Sequence, residues 1–287
     1  MGGIVWLASY PKSGNTWLRV FLTNYLHDGD EAANINDLDG GPIASARDIF
    51  DRVIGVEASD LTAEEIDRFR PAVYDQVAGE SDEPLFMKVH DAWRRNGEGV
   101  PLFPAAATAA VIYLIRNPLD VAPSYAHHSN DSIEKIIADM ADEACTMVRF
   151  DGQRLARQLH QLTFSWSSHV RSWVDESGLP VHVVRYEDMS QMPEETFSGI
   201  VRAAGLPVDP VIVRKAIELS RFDRLQAQEA NEGFREKRPD SKSFFRKGKV
   251  GSWREELTPE QVRRLIADHR AVMRRFGYLT DDGEPVY

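Results

Sequence analysis

The stretch Ala8-Ser9-Tyr10-Pro11-Lys12-Ser13-Gly14-Asn15-Thr16-Trp17-Leu18-Arg19 constrains the fold of this chain more than any other. Ahead of it runs Ile4-Val5-Trp6-Leu7, apolar throughout and short enough for a buried strand. Behind it Trp17, Leu18, Val20, Phe21, Leu22, Tyr25 and Leu26 are spaced as in an apolar-rich helix. The stretch is therefore a strand-to-helix turn carrying a glycine, a lysine and small polar side chains. Such a turn aims backbone N–H groups and the positive end of a helix at an anion, typically a phosphate. It is not a Walker A loop, in which the lysine follows the last glycine, because Lys12 precedes Gly14. An ordinary strand–helix turn with a solvated lysine also fits these residues, so the rest of the chain has to decide.

Leu85-Phe86-Met87-Lys88-Val89-His90 reads as a second strand, Val111-Ile112-Tyr113-Leu114-Ile115 as a third and Val181-His182-Val183-Val184-Arg185-Tyr186 as a fourth. The third is apolar throughout, as expected of a parallel strand covered on both faces. Helices are expected over residues 44–53, 63–77, 133–149, 154–175, 193–204, 210–220 and 259–276. Another starts at Pro118, which suits a first helical turn. Asp60-Leu61-Thr62-Ala63-Glu64-Glu65 has the capping chemistry of a helix start, while Pro71 and Pro123 predict breaks or kinks. Residues 28–41 read as loop. Residues 227–245 are polar with few apolar anchors and read as a mobile segment or lid, extending to about residue 250. Strands alternating with helices indicate an α/β fold, a central parallel β-sheet flanked by helices on both faces, in a single domain spanning 1–287. Ligands in such folds bind at the carboxyl ends of the strands. Lys12, His90, Arg116 and Tyr186 each lie at or just past such an end.

Composition narrows the partners. The 287 residues carry a net charge of −11, which argues against nucleic-acid binding. A local pocket on an acidic protein can still be positive. The single cysteine, Cys145, rules out an internal disulfide and fits a reducing compartment. The apolar start is too short for a secretory signal, and no run approaches the ~20 apolar residues of a membrane span. The expectation is a cytoplasmic protein with no membrane partner.

Four segments, taken in order, resemble the sulfotransferases that use 3′-phosphoadenosine 5′-phosphosulfate (PAPS). Tyr10-Pro11-Lys12-Ser13-Gly14-Asn15-Thr16-Trp17 is similar to that family's loop for the 5′-phosphosulfate. Arg116-Asn117-Pro118-Leu119-Asp120-Val121-Ala122-Pro123-Ser124-Tyr125 is similar to its 3′-phosphate segment. Arg185-Tyr186-Glu187-Asp188 matches a strand-end signature, and Arg246-Lys247-Gly248-Lys249-Val250-Gly251 matches the family's C-terminal RKGxxG. The resemblance implies a P-loop-like sheet and PAPS as co-substrate, with no metal. It assigns the 5′ side to Lys12, Ser13, Gly14, Asn15 and Thr16, and the 3′-phosphate to Arg116, Ser124, Arg246, Lys247 and Gly248. It packs Trp17, Tyr186 and Phe222 around the adenine.

Lys88-Val89-His90 resembles the family's Lys-Thr-His, which makes His90 the expected general base and Lys12 and Lys88 the groups stabilising charge on the transferring sulfuryl group. Imidazole suits the base because its unperturbed pKa, about 6.5, lies near working pH. The acceptor would be a hydroxyl, or less readily an amine, of a small molecule or glycan. His127, His128 and His169 could line its pocket, although core or surface roles also fit them. Ser252 stands where the family commonly has Asp. The family's dimer motif KxxxTVxxxE falls on residues 254–263, which keep Thr258 but have Pro259 and Arg263, so dimerisation by that route is not implied. A P-loop-type kinase of nucleotides or small molecules, and a non-catalytic nucleotide-binding relative, remain open as alternatives.

Overall fold

The computed structural model describes residues 2–38, 41–147, 156–237, 241 and 243–287. Strand β1 (Ile4–Ser9) is buried along its whole length and pairs in parallel on both sides, with β2 (Leu85–Val89) and with β3 (Thr108–Ile115). Two short strands, β4 (Thr146–Met147) and β5 (Gln161–Leu162), form a separate antiparallel pair. Strand β6 (Val181–Arg185) extends the main sheet beyond β3, giving the all-parallel order β2-β1-β3-β6. This is the expected sheet, with each strand within a few residues of its expected place.

The described helices are α1 (Asn15–His27), α2 (Arg47–Ile54), α3 (Ala63–Gly79), α4 (Pro118–Ser129), α5 (Ile133–Ala141), α6 (Trp166–Arg171), α7 (Tyr186–Gln191), α8 (Pro193–Ala203), α9 (Pro210–Leu219), α10 (Phe222–Glu232) and α11 (Pro259–Arg275). The two-residue period of β1 divides the core between them. Ile4, Trp6 and Ala8 pack on the face covered by α3, α4, α5 and α11, whereas Val5 and Leu7 pack on the face covered by α1, α8 and α9. A fully buried side chain such as Leu7 or Trp6 contributes about 1.5–3 kcal/mol. Trp6 also satisfies its indole by donating from Nε1 to Thr108 Oγ1 at 2.9 Å.

Local chemistry explains the helix boundaries. Thr62 caps α3 through a reciprocal box with Glu65, and Asn117 caps α4 with Pro118 in the first turn. Pro71 does not end α3. Its missing N–H leaves the Asp67 carbonyl without a helical donor, and Asn96 Nδ2 donates there instead, at 3.3 Å. Helix α4 likewise runs through Pro123.

Two expected helices are shorter than their spacing suggests. The one expected over 133–149 ends at Ala141, and residues 148–149 lie outside the described residues. The one expected over 154–175 starts only at Trp166; residues 154–155 lie outside the described residues. Residues 157–163 spend their backbone groups on other strips: Arg47 N donates to Arg157 O, Leu159 N to Ser45 O and Thr163 N to Cys145 O. Phe164 then adopts a left-handed φ of 58°, and Ser165 caps α6. The stretch read as a polar lid also differs in structure. Its first residues, to Glu232, belong to α10, and Phe234 and Phe245 are buried with Leu225, Val20 and Ile35 over α1.

Beneath the carboxyl end of β2 lies a buried ion pair. Arg70 Nη1 and Nη2 donate to Asp91 at 2.9 and 2.8 Å, and Tyr74 OH accepts from the same guanidinium while donating to Ala44 O. Removing one partner strands a charge with no access to water. Asp91→Ala is expected to cost about 3–5 kcal/mol, measured by chemical denaturation; a loss below 1 kcal/mol would show that the pair is dispensable.

Candidate active site

The turn after β1 is held by side chains rather than by a regular hydrogen-bond ladder. Asn15 Nδ2 donates to Leu7 O at 2.7 Å and to Ser9 Oγ at 3.2 Å, pinning the start of α1 to the end of β1. Lys12 takes a left-handed φ of 67°, a conformation that costs a non-glycine residue about 1–3 kcal/mol and persists only where surroundings impose it. Gly14 has φ 105°, and a Cβ there would sit 2.6 Å from Tyr186 Cδ2. Gly248 is matched to Phe222 in the same way, since a Cβ would come within 2.5 Å of its ring. Both glycines admit an aromatic side chain against bare backbone.

His90 follows β2 and faces the same turn. Its Nδ1 lies 2.9 Å from the carbonyl of Ser9, so Nδ1 carries the proton and Nε2 keeps its lone pair. Behind it, His169 Nε2 donates to His90 O at 3.2 Å, and Tyr113 OH lies 2.7 Å from His169 Nδ1. His169 is thus a core residue beneath the site rather than part of the cavity wall. Burial and, after it, the positive charge of Lys88 lower His90 to about 3.

Lys88 Nζ donates to Glu236 Oε2 at 2.8 Å, and Arg19 Nη1 donates to the other carboxylate oxygen. Burial alone would raise Glu236, but Lys88 and Arg19 hold it well below the usual carboxylate range. Lys12 Nζ lies 4.0 Å from the centroid of the Phe244 ring. Burial, then Lys88 and Arg116, lower Lys12 to about 7.

At the other end, Arg116 stacks 4.2 Å from the Tyr186 ring centroid and donates to Lys12 O at 3.2 Å and Lys249 O at 3.3 Å. Tyr186 OH donates to Gly248 O at 3.1 Å, and Trp17 meets the Tyr186 ring edge-on at 5.6 Å. Buried Asp120 fixes the loop that follows by accepting from Gly251 N at 2.8 Å and Trp253 N at 3.0 Å, and from Ser252 Oγ at 3.2 Å. Arg246 pairs bidentately with Glu256, and Lys247 with Glu255 and Glu256.

These groups line one cavity of about 640 Å³. Of the residues singled out from sequence, Lys12, Gly14, Asn15, Thr16, Trp17, Lys88, His90, Arg116, Ser124, Tyr186, Phe222, Arg246, Lys247 and Gly248 all border it, as do His127 and His128. Ser13 does not. Its hydroxyl is buried beneath the turn without a hydrogen-bond partner, and so is Arg116 Nε. Sequence reading missed Arg19, Glu236 and Phe244. Arg19 had a signal, as a lone charge inside the apolar run of α1. Glu236 and Phe244 lie in a stretch without periodicity and had none.

The family model described as a sulfotransferase domain matches residues 4–277, and the chain belongs to the sulfotransferase family. It is 26% identical over 280 residues to cytosolic sulfotransferase 1 of Arabidopsis thaliana, covering 90% of this chain and 75% of that protein. It is 25% identical over 284 residues to sulfotransferase 1A1 of Canis lupus familiaris, covering 94% and 83% respectively. Among solved structures, it superposes on a mouse sulfotransferase complexed with PAP with a TM-score of 0.59, at 21% identity, over 98% of this chain and 86% of that one. A retinol dehydratase in complex with retinol and PAP gives a TM-score of 0.60 at 17% identity, over 94% and 81%. The fold is that of the sulfotransferases, and the chain is a transferase of that family.

Burial holds His90, His169 and His269 neutral, lowered to about 3, 4 and 4 respectively. The unfolded chain protonates all three near pH 6.5, so it binds more protons than the folded chain below that pH. Stability is therefore expected to fall as pH drops from about 6.5 to 4.5, by about 1 kcal/mol per unit per histidine. Thermal unfolding across that range checks this; a flat profile would mean that the histidines are already charged in the fold.

Proposed function

We propose that this chain transfers the sulfuryl group of PAPS to a hydroxyl of a small-molecule or glycan acceptor, with His90 as general base. The reading is carried by one observation: Lys12, Lys88 and His90 line the same cavity as Arg116, Ser124 and the loop Arg246–Gly248. Arg116 borders the cavity, and its partnerless Nε is a polar atom that a nucleotide's phosphate group would satisfy. Bound there, PAPS would supply an activated sulfuryl group and, through its 3′-phosphate, an anchor.

The protein's own contribution is positioning and charge. Arg116, Ser124, Arg246 and Lys247 would hold the 3′-phosphate; for the last two this means exchanging Glu255 and Glu256 for phosphate oxygens. Backbone N–H groups of the Ser13–Thr16 turn and the positive end of α1 would face the 5′ side, with Trp17, Tyr186 and Phe222 around the base. Lys88 would leave Glu236 for the sulfuryl oxygens, while Lys12 stabilises the bridging oxygen. His90, its ring fixed by Ser9 O, would accept the acceptor hydroxyl's proton at Nε2; burial lowers it to about 3, which keeps that lone pair free but removes the match to working pH expected from an unperturbed imidazole. Residues 227–237 and 243–250 would cap the bound nucleotide; residues 238–240 and 242 of the expected lid lie outside the described residues.

Thermal shift separates this reading from a kinase. Adenosine 3′,5′-bisphosphate (PAP) is expected to raise the melting temperature strongly and Mg-ATP not to; the reverse result would sink the proposal. His90→Ala is expected to lower turnover at least about a hundredfold while PAP still binds, which also separates an enzyme from a non-catalytic relative. Lost PAP binding in that variant would mark His90 as structural.

The lowered Lys12 makes binding pH-dependent. In the free chain Lys12 loses its proton near pH 7, and an adjacent anion restores it. Above pH 7, where the phosphates of PAP are fully ionised, its affinity is expected to fall by up to about tenfold per unit, with proton uptake on binding. Calorimetry in buffers of differing ionisation enthalpy reads this directly, and proton release would contradict it.

A further inference from the structure

We propose that the acceptor is itself an anion, a hydroxyl compound that also bears a carboxylate, phosphate or sulfate group. The inference rests on the PAPS reading above and concerns the half of the cavity that reading leaves unassigned. The chain has 34 lysines and arginines against 45 acidic residues, yet nine of those cations line this one cavity and only one carboxylate, Glu236, joins them. Five of the nine serve the nucleotide: Lys12, Lys88, Arg116, Arg246 and Lys247. The nucleotide brings roughly four negative charges, about two of them on its 3′-phosphate. Arg19, Arg157, Arg235 and Lys237 remain, and with Lys88 turned to the nucleotide Glu236 is left to Arg19. Among the described residues, no ion pair joins Arg157, Arg235 or Lys237 to a carboxylate.

The strips that carry Arg157, Arg235 and Lys237 meet at Lys88. In one, Lys88 N donates to Pro42 O and Ala44 N to Lys88 O, and the same strip pairs with Arg157 and Leu159 through Arg47 N and Ser45 O. In the other, Glu236 reaches Lys88 Nζ at 2.8 Å, with Arg235 and Lys237 as its immediate neighbours and Arg235 N bonded to Asn36 Oδ1. An acceptor hydroxyl reaching His90 beside Lys88 would pass these strips. An uncharged, apolar acceptor would displace water from the cations and give nothing back, whereas an anionic one answers them.

The test uses matched acceptors that differ only in charge. 4-Hydroxyphenylacetate and its methyl ester represent phenols, and glucuronate and its methyl ester represent alcohols. Each is titrated into the PAP-saturated protein by calorimetry and assayed for turnover with PAPS. In at least one pair the acid is expected to bind and to react about tenfold or more better than the ester, a difference of one charge contact in a partly screened site. The pair that shows the preference tells phenol from alcohol. The preference should shrink as salt rises. It should fall towards unity in the Arg157→Ala/Arg235→Ala double variant and return in the Arg157→Lys/Arg235→Lys variant, each checked for folding by thermal unfolding. Equal binding and turnover of acid and ester, or a preference untouched by the double variant, would overturn the inference alone. Failure of PAP to bind, or of every acceptor to be sulfated, would overturn the PAPS reading and the inference with it.

Discussion

The site depends on the parallel pairing at the carboxyl ends of three strands. Register sets Ala8 beside Val89 and beside Tyr113, and Ser9 beside Leu114. The residues that follow each strand therefore emerge on one edge of the sheet: the Tyr10–Gly14 turn from β1, His90 from β2 and Arg116 from β3. Tyr186, at the end of β6, joins them across β3, where Ile115 pairs with Arg185. A one-residue slip in any strand would move its functional side chain to another level and its apolar residues to the wrong face. The continuous burial of Ile4–Ser9 on both faces makes such a slip costly, so the core that stabilises the fold also fixes the spacing of the site.

On this frame the chain concentrates positive charge against its own net charge of −11. Lys12, held in a left-handed conformation, has its proton affinity lowered first by burial and then by repulsion from Lys88 and Arg116. Glu236 relieves part of it by bridging Lys88 and Arg19. Local strain and like-charge crowding persist where packing imposes them and where an anion removes the penalty. The loop from Arg246 to Gly251 is shaped differently. Asp120 and Glu187, buried carboxylates, gather backbone N–H groups and the Tyr278 hydroxyl around it and around the start of α4. Neither carboxylate needs to touch a ligand to hold the ligand-facing residues in position.

Chemistry that sits at strand ends was legible in the sequence because strands and their ends are legible. Lys12, His90, Arg116 and Tyr186 were found as residues following apolar runs, and the glycines at 14 and 248 as parts of motifs. The helix expected over 154–175 failed for the complementary reason. Leu155, Leu159, Leu162 and Trp166 keep a helical period, but residues 157–163 pair their backbone with residues 45–47 and 145, and long-range pairing outranks local spacing. His169 belongs to the same class: a histidine in a helix says nothing about whether it faces a cavity or, as here, the carbonyl of another histidine.

By itself, then, the sequence determined the parallel α/β sheet, the strand-to-helix turn at Gly14 and the order of the motifs, because each depends on local period, short spacing or a residue type with few other uses. Only the tertiary structure decided that Arg70 and Asp91 would pair next to His90, that Glu236 and Phe244 would reach Lys88 and Lys12 from 148 and 232 residues away, and that nine cations would line one cavity. Those outcomes depend on contacts between residues far apart in the chain, and no periodicity of the chain encodes which distant side chain will occupy a given pocket.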